Sequence, residues 1–392
     1  MSNNSYNGKI FLSQSIASLT SARRDALLSR SVSASDTITT VTAAIIDEVR
    51  SAGDRALLEM AKRYDGVDLT DLEVPRSACV AAADSIDPAL RAAMERSIRN
   101  IDSVQRAFLP DSVETSPEPG IVVGRRPDAL QRVGVYAPGG SATYPSSVLM
   151  GAVPAKVAGV QEVVLCTPPG PSGRPSQAVL AAAHLAGVDR VFSVGGAGAI
   201  AAMAYGTQSI PRVDRIVGPG NAYVAEAKLQ VARIVAIDSP AGPSELLVIA
   251  DSAADPAILA GELLAQAEHD PRAVVVVIAI GENTARTILD QLIGAIPSQQ
   301  RRDIIEQSLR SRGAVLWTDS IDEAVSLSND FAPEHLLLAV SDAAALLPRM
   351  RNAGTIFLGQ TSSVTFGDYM TGANHVLPTG GLARSYSGLS VL

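Results

Sequence analysis

The sequence predicts an α/β protein built on two parallel sheets and preceded by a helical segment. Three observations carry this. From Arg132 onward short apolar runs alternate with helical stretches, the signature of βαβ units. The alternation occurs twice, with "AIDSPAGPSE" between the two sets. The N-terminal third shows mainly helical spacing. At 392 residues the chain is long enough for two or three domains, each burying its own core.

In order along the chain, Ile38, Val41, Ile45 and Val49 recur at helical spacing after the candidate caps Ser35 and Asp36, and Gly53 is placed to stop that helix. "DRALLEMAKRYDG" and "PALRAAMERSIRNIDSVQRAF" read as further helices. "VGVYA", "EVVLC", "RVFSV" and "DRIVG" read as the first set of strands. "TPPGPSGRPS" is a surface loop inside this set, because strand and helix alternation resumes after it. "LLVIA", "AVVVVIAI", "AVLWT", "HLLLAV" and "TIFLG" form the second set, and a Gly-rich, loop-like stretch follows to the end. The two sets read as Rossmann-like domains that could be distant structural copies of each other.

Composition narrows the function. The chain is 47% hydrophobic and 18% charged, as globular proteins are. A net charge of −8, with no basic tract interleaved with aromatics, argues against a nucleic-acid partner. Cys79 and Cys166 lie in apolar surroundings without CxxC spacing and read as core residues in a reducing cytoplasm. The polar start "MSNNSYNGKI" lacks a signal-peptide run, and no stretch approaches the about 20 apolar residues needed to span a bilayer, so no membrane partner is expected.

Four constellations could carry chemistry. The turns "VYAPGGSATYPSS", "VGGAGAIAAMAYG" and "VGPGNAYVAEAK" each follow a strand and precede a helix, so backbone N–H groups could face an anionic ligand. Singly each reads equally well as a tight turn, and their joint placement at strand ends points to a cleft. In "LLAQAEHDPR" the apolar stripe of Leu259 and Leu263 runs into Gln266 and His269, either a metal-ligand pair or a core histidine. "FAPEHLLL" sets Glu334 and His335 side by side at a strand entrance, either a proton-transfer pair or an edge carboxylate with a capped imidazole. "GDYMTGANHVLPTGG" places Asp368 and His375 in a segment without clear period, the kind that builds sites, and Asp368 could join the ligand set. His184, among alanines, reads as structural or surface.

Taken together, "VGVYAPGGSATYPSSVLM", "VGPGNAYVAEAK", "IDSPAGPSELLVIAD", "LLAQAEHD", "APEHLLL" and "GDYMTGANHVLPT" resemble histidinol dehydrogenase, over nearly the whole chain. The resemblance implies zinc held by Gln266, His269 and Asp368, which also meet the substrate. It further implies two successive hydride transfers to NAD, taking an amino alcohol, L-histidinol, through the aldehyde to the carboxylate. His335 would remove the hydroxyl proton and Glu334 would activate the water. Ser244 and His375 match substrate contacts, and Tyr136 and Asn221 match dinucleotide contacts. A homodimer is implied. Gly198 stands where the family has glutamine in "GGAQAI", so one contact to NAD is absent. The family chain also continues beyond "LPT" into a small helical domain that crosses to the partner subunit and supplies a glutamate and the last zinc-binding histidine. No residue of this sequence can be assigned those roles, and if the chain ends here the expectation is reduced zinc affinity and turnover.

On this reading residues 1–30 form an N-terminal helical arm, 31–135 and 245–385 a discontinuous domain with the metal and proton-transfer residues, 136–244 an inserted dinucleotide-binding domain, and 386–392 a short tail. Two alternatives remain: a related alcohol dehydrogenase with a different substrate, and a catalytically silent relative that binds a small molecule or a partner chain.

Overall fold

The computed structural model describes residues 8, 10–30, 35–139 and 143–392. Within the expected N-terminal helical arm, a strand, β1 (Leu12–Ser15), precedes a helix, α1 (Ser21–Leu28). The helix α2 (Asp36–Ala52) starts where Ser35 accepts the N–H of Ile38 and stops at Gly53, whose φ is +59°. Its buried stripe is Thr42, Ile46 and Val49, while Val41 is exposed, so the apolar face is rotated from the one its spacing predicts.

There follow α3 (Asp54–Met60), β2 (Glu73–Val74), α4 (Arg76–Ser85), α5 (Pro88–Ala107) and a small antiparallel pair, β3 (Val113–Thr115) with β4 (Val123–Arg125). The first alternating set is β5 (Arg132–Tyr136), α6 (Pro145–Val157), β6 (Glu162–Thr167), α7 (Gln177–Leu185), β7 (Arg190–Ser193), α8 (Gly196–Tyr205), β8 (Arg215–Val217), α9 (Ala222–Val231) and β9 (Ala236–Ile237). The second is β10 (Glu245–Ala250), α10 (Pro256–Ala267), β11 (Val274–Ile280), α11 (Glu282–Ala295), α12 (Arg302–Arg312), β12 (Gly313–Thr318), α13 (Ile321–Phe331), β13 (His335–Ala339), α14 (Ala343–Leu346), β14 (Thr355–Leu358) and α15 (Val364–Tyr369). All nine strands expected from the apolar runs form.

The chain divides into two compact units. The first comprises Met1–Val32, Ala241–Phe366 and Leu377–Gly388; the second comprises Ser33–Pro240, Gly367–Val376 and Leu389–Leu392. This corrects the expected grouping of 31–135 with 245–385, since residues 33–135 pack in the second unit. There β2 pairs antiparallel with β7, Ile46, Val49 and Leu57 share a core with Phe192 and Ile200, and Cys79 and Ile101 share the other with Val133 and Leu165. An apolar stripe shows that a helix buries a face but not against which sheet.

In the second unit the strand order is β2-β7-β6-β5-β8-β9, parallel except for β2. In the first it is β1-β12-β11-β10-β13-β14, parallel throughout. Each sheet has its first alternating strand at the centre, two successors on one side and the next two on the other, so the order reverses between β5 and β8 and between β10 and β13. Strands covered on both faces alternate between two cores: Val163 and Leu165 enter one, Val164 and Cys166 the other.

Candidate functional site

In the first unit, α13 ends at Phe331, and Ala332 takes a left-handed conformation (φ +52°) that turns the chain through Pro333 and Glu334 into β13. Since β13 lies beside β10 with His335 opposite Leu246, Glu334 and His335 reach the amino end of the sheet next to Ser244 and Glu245. Ser244 is half-buried, and its carbonyl accepts the N–H of Val274.

One peptide unit holds both groups. The N–H of Glu245 donates to Glu334 Oε2 at 2.7 Å, and the carbonyl of Glu245 lies 2.9 Å from His335 Nδ1. A carbonyl only accepts, so Nδ1 carries the proton and Nε2 is the basic nitrogen. His335 Nδ1 is also 3.5 Å from Glu334 Oε2. Both side chains are buried, at 5% exposure for Glu334 and 4% for His335. Burial pushes the Glu334 carboxyl above its ordinary pKa, with His335 and the Glu245 N–H pulling it back.

Beneath this pair lies a buried ion pair. Arg30 Nε donates to Glu245 Oε1 at 2.8 Å and Nη2 to Oε2 at 3.3 Å. Arg30 Nη2 also reaches the carbonyl of Phe331 at 2.6 Å, and its guanidinium carbon sits 3.3 Å from the centroid of the Phe331 ring. Gly380 N–H donates to Glu245 Oε1 at 3.0 Å.

Gln266 lies in the last turn of α10, on its buried face. His269 lies past the helix end and is exposed, so the stripe does not carry it into the core as its spacing suggested. Its N–H donates to the Gln266 carbonyl at 3.3 Å. Asp368 belongs to the second unit, in the short helix α15 rather than in irregular chain. Its backbone carbonyl lies 2.9 Å from His375 Nδ1. The segment is tied to α5 by Ser97 Oγ donating to the Tyr369 carbonyl at 2.8 Å and Asn100 Nδ2 to the Met370 carbonyl at 2.5 Å. Among the described residues no group of three or more His, Cys, Asp and Glu side chains is placed to hold a metal ion.

The second unit carries the glycine turns at the carboxyl ends of β5, β7 and β8. Residues 140–142 of the first turn lie outside the described residues. In the other two, N–H groups expected to face an anion are already satisfied: Gly196 donates to the Tyr136 hydroxyl at 3.0 Å and Gly218 to Asp238 Oδ2 at 2.7 Å. Asn221 caps α9 by accepting from Tyr223 N and Val224 N. The N-cap residues of α6 and α8, Tyr144 and Gly195, make no side-chain cap hydrogen bond.

Tyr136 is buried with its hydroxyl on Gly196, and burial pushes its pKa up to about 12. Gly198 faces α3, and a Cβ there would meet Met60 Sδ at 3.1 Å and Leu57 Cδ2 at 3.3 Å.

Sequence reading also missed a second buried ion pair, Lys228 with Asp238, which grips the Gly218 turn from both sides. Lys228 Nζ donates to the Gly218 carbonyl at 3.1 Å while Asp238 takes its N–H. Gly218 has a φ of +119°, and a Cβ there would lie 2.1 Å from the Tyr136 carbonyl oxygen, so only glycine fits. Lys228 and Asp238 lie in the quoted segments "VGPGNAYVAEAK" and "IDSPAGPSELLVIAD", and the signal was a cation and an anion set in otherwise apolar runs.

Two largely parallel sheets, glycine turns at one sheet edge and a buried carboxyl–imidazole pair at another define the class as an α/β protein with a buried proton-transfer pair. The sequence model of the family "Histidinol dehydrogenase" matches residues 28–392. The histidinol dehydrogenase of Methanosarcina mazei is 45% identical over 97% of this chain and 88% of that protein. That of Xylella fastidiosa is 46% identical over 89% of this chain and 81% of that protein. The crystal structure of histidinol dehydrogenase from Elizabethkingia anophelis superimposes with a TM-score of 0.92 at 35% identity, covering 98% of this chain and 88% of that one. The chain belongs to the histidinol dehydrogenase family.

Proposed function

We propose that this chain is an NAD-dependent, zinc-binding histidinol dehydrogenase that oxidises L-histidinol through the aldehyde to L-histidine. It acts in histidine biosynthesis, in the cytoplasm, as a homodimer. Among the described residues no helix is long and apolar enough to cross a membrane. The observation that carries the reading is the Glu334–His335 pair, buried and held by one peptide in a chain of this family.

His335, with its proton fixed on Nδ1 by the Glu245 carbonyl, takes the hydroxyl proton of the alcohol on Nε2. Glu334, whose burial raises its proton affinity, takes a proton from the water that attacks the aldehyde carbon. NAD would supply the hydride acceptor for both oxidations. For it the N-terminus of α8, whose N-cap Gly195 offers no side-chain cap, stands at one turn, and Asn221 stands exposed at the next. Zinc, when bound, orients the amino and imidazole groups of the substrate. Gln266, His269 and Asp368 are the residues that the family likeness assigns to hold it, the imidazole and carboxylate being ordinary zinc donors. Ser244 and His375 would contact the substrate. No structural observation favours a different alcohol or a silent relative.

The test is NADH formation with histidinol as the only reductant, before and after dialysis against a chelator. The expected result is two NADH per histidinol, lost on chelation and restored by zinc. Turnover of simple alcohols but not histidinol would defeat the substrate assignment, and full activity after complete zinc removal would defeat the metal assignment.

A further inference from the structure

We propose that Arg30 and Glu245 are positioning residues for the Glu334–His335 pair, with Arg30 fixing the Glu245 side chain so that the Glu245 peptide sets the tautomer of His335 and the direction of the Glu334 carboxylate. This rests on reading Glu334 and His335 as the proton-transfer pair.

The chain of contacts is continuous. Glu245 is 1% exposed, and both of its oxygens are engaged by Arg30, with Gly380 N–H adding to Oε1. A side chain held at three points leaves its own backbone little freedom, and that backbone gives its N–H to Glu334 and its carbonyl to His335. Arg30 is held in turn by the carbonyl and ring of Phe331. Phe331 ends the helix from which Ala332 and Pro333 lead to Glu334, so the guanidinium braces both approaches to the pair.

Among the described residues the charges facing His335 include the adjacent Glu334, Glu245 from β10 and, behind it, Arg30; Arg312 and Arg384 act on Arg30 at longer range. Phe357 of β14 presents an uncharged ring, 6.1 Å from the imidazole between centroids. Glu245 favours the imidazolium and Arg30 opposes it, so the pair keeps its net field on the imidazole small. Removing Arg30 leaves the Glu245 anion uncompensated and raises the proton affinity of His335. Removing the Glu245 charge leaves Arg30 uncompensated and lowers it.

The experiment compares Arg30→Met, Arg30→Lys, Glu245→Gln and the double variant Arg30→Met/Glu245→Gln in the full-length protein. Two readings are taken: the pH profile of the alcohol half-reaction, and the ¹³Cδ2 resonance of His335 in histidine-labelled protein. The chain has four histidines, so His335→Asn assigns the signal. In Arg30→Met the acid limb and the His335 titration both move up by about one pH unit, a roughly tenfold loss of rate on that limb. In Glu245→Gln they move down. In the double variant, which holds no unpaired buried charge and folds even where the singles do not, the titration returns toward the wild-type position while the Cδ2 shift shows mixed tautomers. Arg30→Lys keeps the titration in place.

An unchanged His335 titration and Cδ2 shift in folded variants, with only stability lowered, would overturn the proposal and leave Arg30–Glu245 as a structural ion pair. A shifted titration in a protein whose His335→Asn variant still oxidises histidinol at full rate would uphold the positioning and overturn the reading of His335 as the base.

Discussion

The two sheets share a strand order yet carry their candidate chemistry at opposite edges. In the second unit the glycine turns lie at the carboxyl ends of β5, β7 and β8, where open α/β sheets ordinarily bind ligands. In the first unit Glu334, His335 and Glu245 lie at the amino ends of β13 and β10. The carboxyl edge works with backbone, because helices start there and present N–H groups. The amino edge has no helix start to use and relies on buried side chains. Each unit nevertheless uses a buried ion pair to hold a peptide: Arg30–Glu245 for residue 245, and Lys228–Asp238 for residue 218. The same physical device serves a charged site and a glycine turn.

The comparison breaks most sharply on the proton-transfer pair. His335→Asn is expected to lower oxidation of the alcohol by about 10²–10⁴-fold, the scale of a lost general base, while Glu334→Gln spares that step and slows oxidation of the aldehyde. Stopped-flow NADH formation from each substrate measures both, and equal losses in both half-reactions for both variants would sink the division of labour.

Next in size is Lys228→Met, which leaves Asp238 buried without its cation. A cost of about 3–5 kcal/mol in denaturant unfolding is expected. A cost below about 1 kcal/mol, on the scale of an exposed pair, would show that the second unit does not depend on its ion pair.

A smaller effect links Glu334 to pH. Its folded pKa lies above the unfolded value because burial penalises the anion. The contribution of such a group is fully present below the unfolded pKa and is lost as pH rises through the folded one. Glutamine does not titrate and can still accept the Glu245 N–H. Glu334→Gln should therefore gain stability relative to the native chain as pH rises through the carboxylate range toward neutrality, even as it loses activity. A stability difference that is flat with pH counts against the burial account.

The smallest effect is expected at Gly198→Ala. The new methyl group crowds Met60 and Leu57, but Met60 is flexible and alanine favours the helix by about 1 kcal/mol, so the two nearly cancel. Unchanged NAD affinity is expected because the position faces α3. A clear change in the dissociation constant would return Gly198 to the cofactor side.

Much of this was legible in the sequence. Eight of the nine strands stand out because a strand buried on both faces needs an unbroken apolar run, while β14, at the sheet edge with Leu358 exposed, is short and apolar all the same. Glu334 and His335 stand out because charged residues at the mouth of such a run require a reason. The domain grouping was not legible: the apolar faces of α2, α4 and α5 fit either sheet equally well on paper. Arg30 was hidden because its partner lies 215 residues away, and no local period connects them.

The path of the chain between the two units bears on how the protein is made. The second unit holds Ser33–Pro240 but also Gly367–Val376 and Leu389–Leu392. The late segments are fastened to it: Asn374 Nδ2 donates to the Met150 carbonyl at 2.8 Å, and Val391 N–H donates to Gln105 Oε1 at 3.0 Å. As the ribosome delivers about 5–20 residues per second, the early part of this unit waits seconds to tens of seconds for the pieces that complete it. During that interval α5 stands without the segment its Ser97 and Asn100 bind, so the nascent chain exposes a face that the finished protein covers. Pulse-chase proteolysis should find cleavage near α5 in chains arrested before residue 367 and not in released protein.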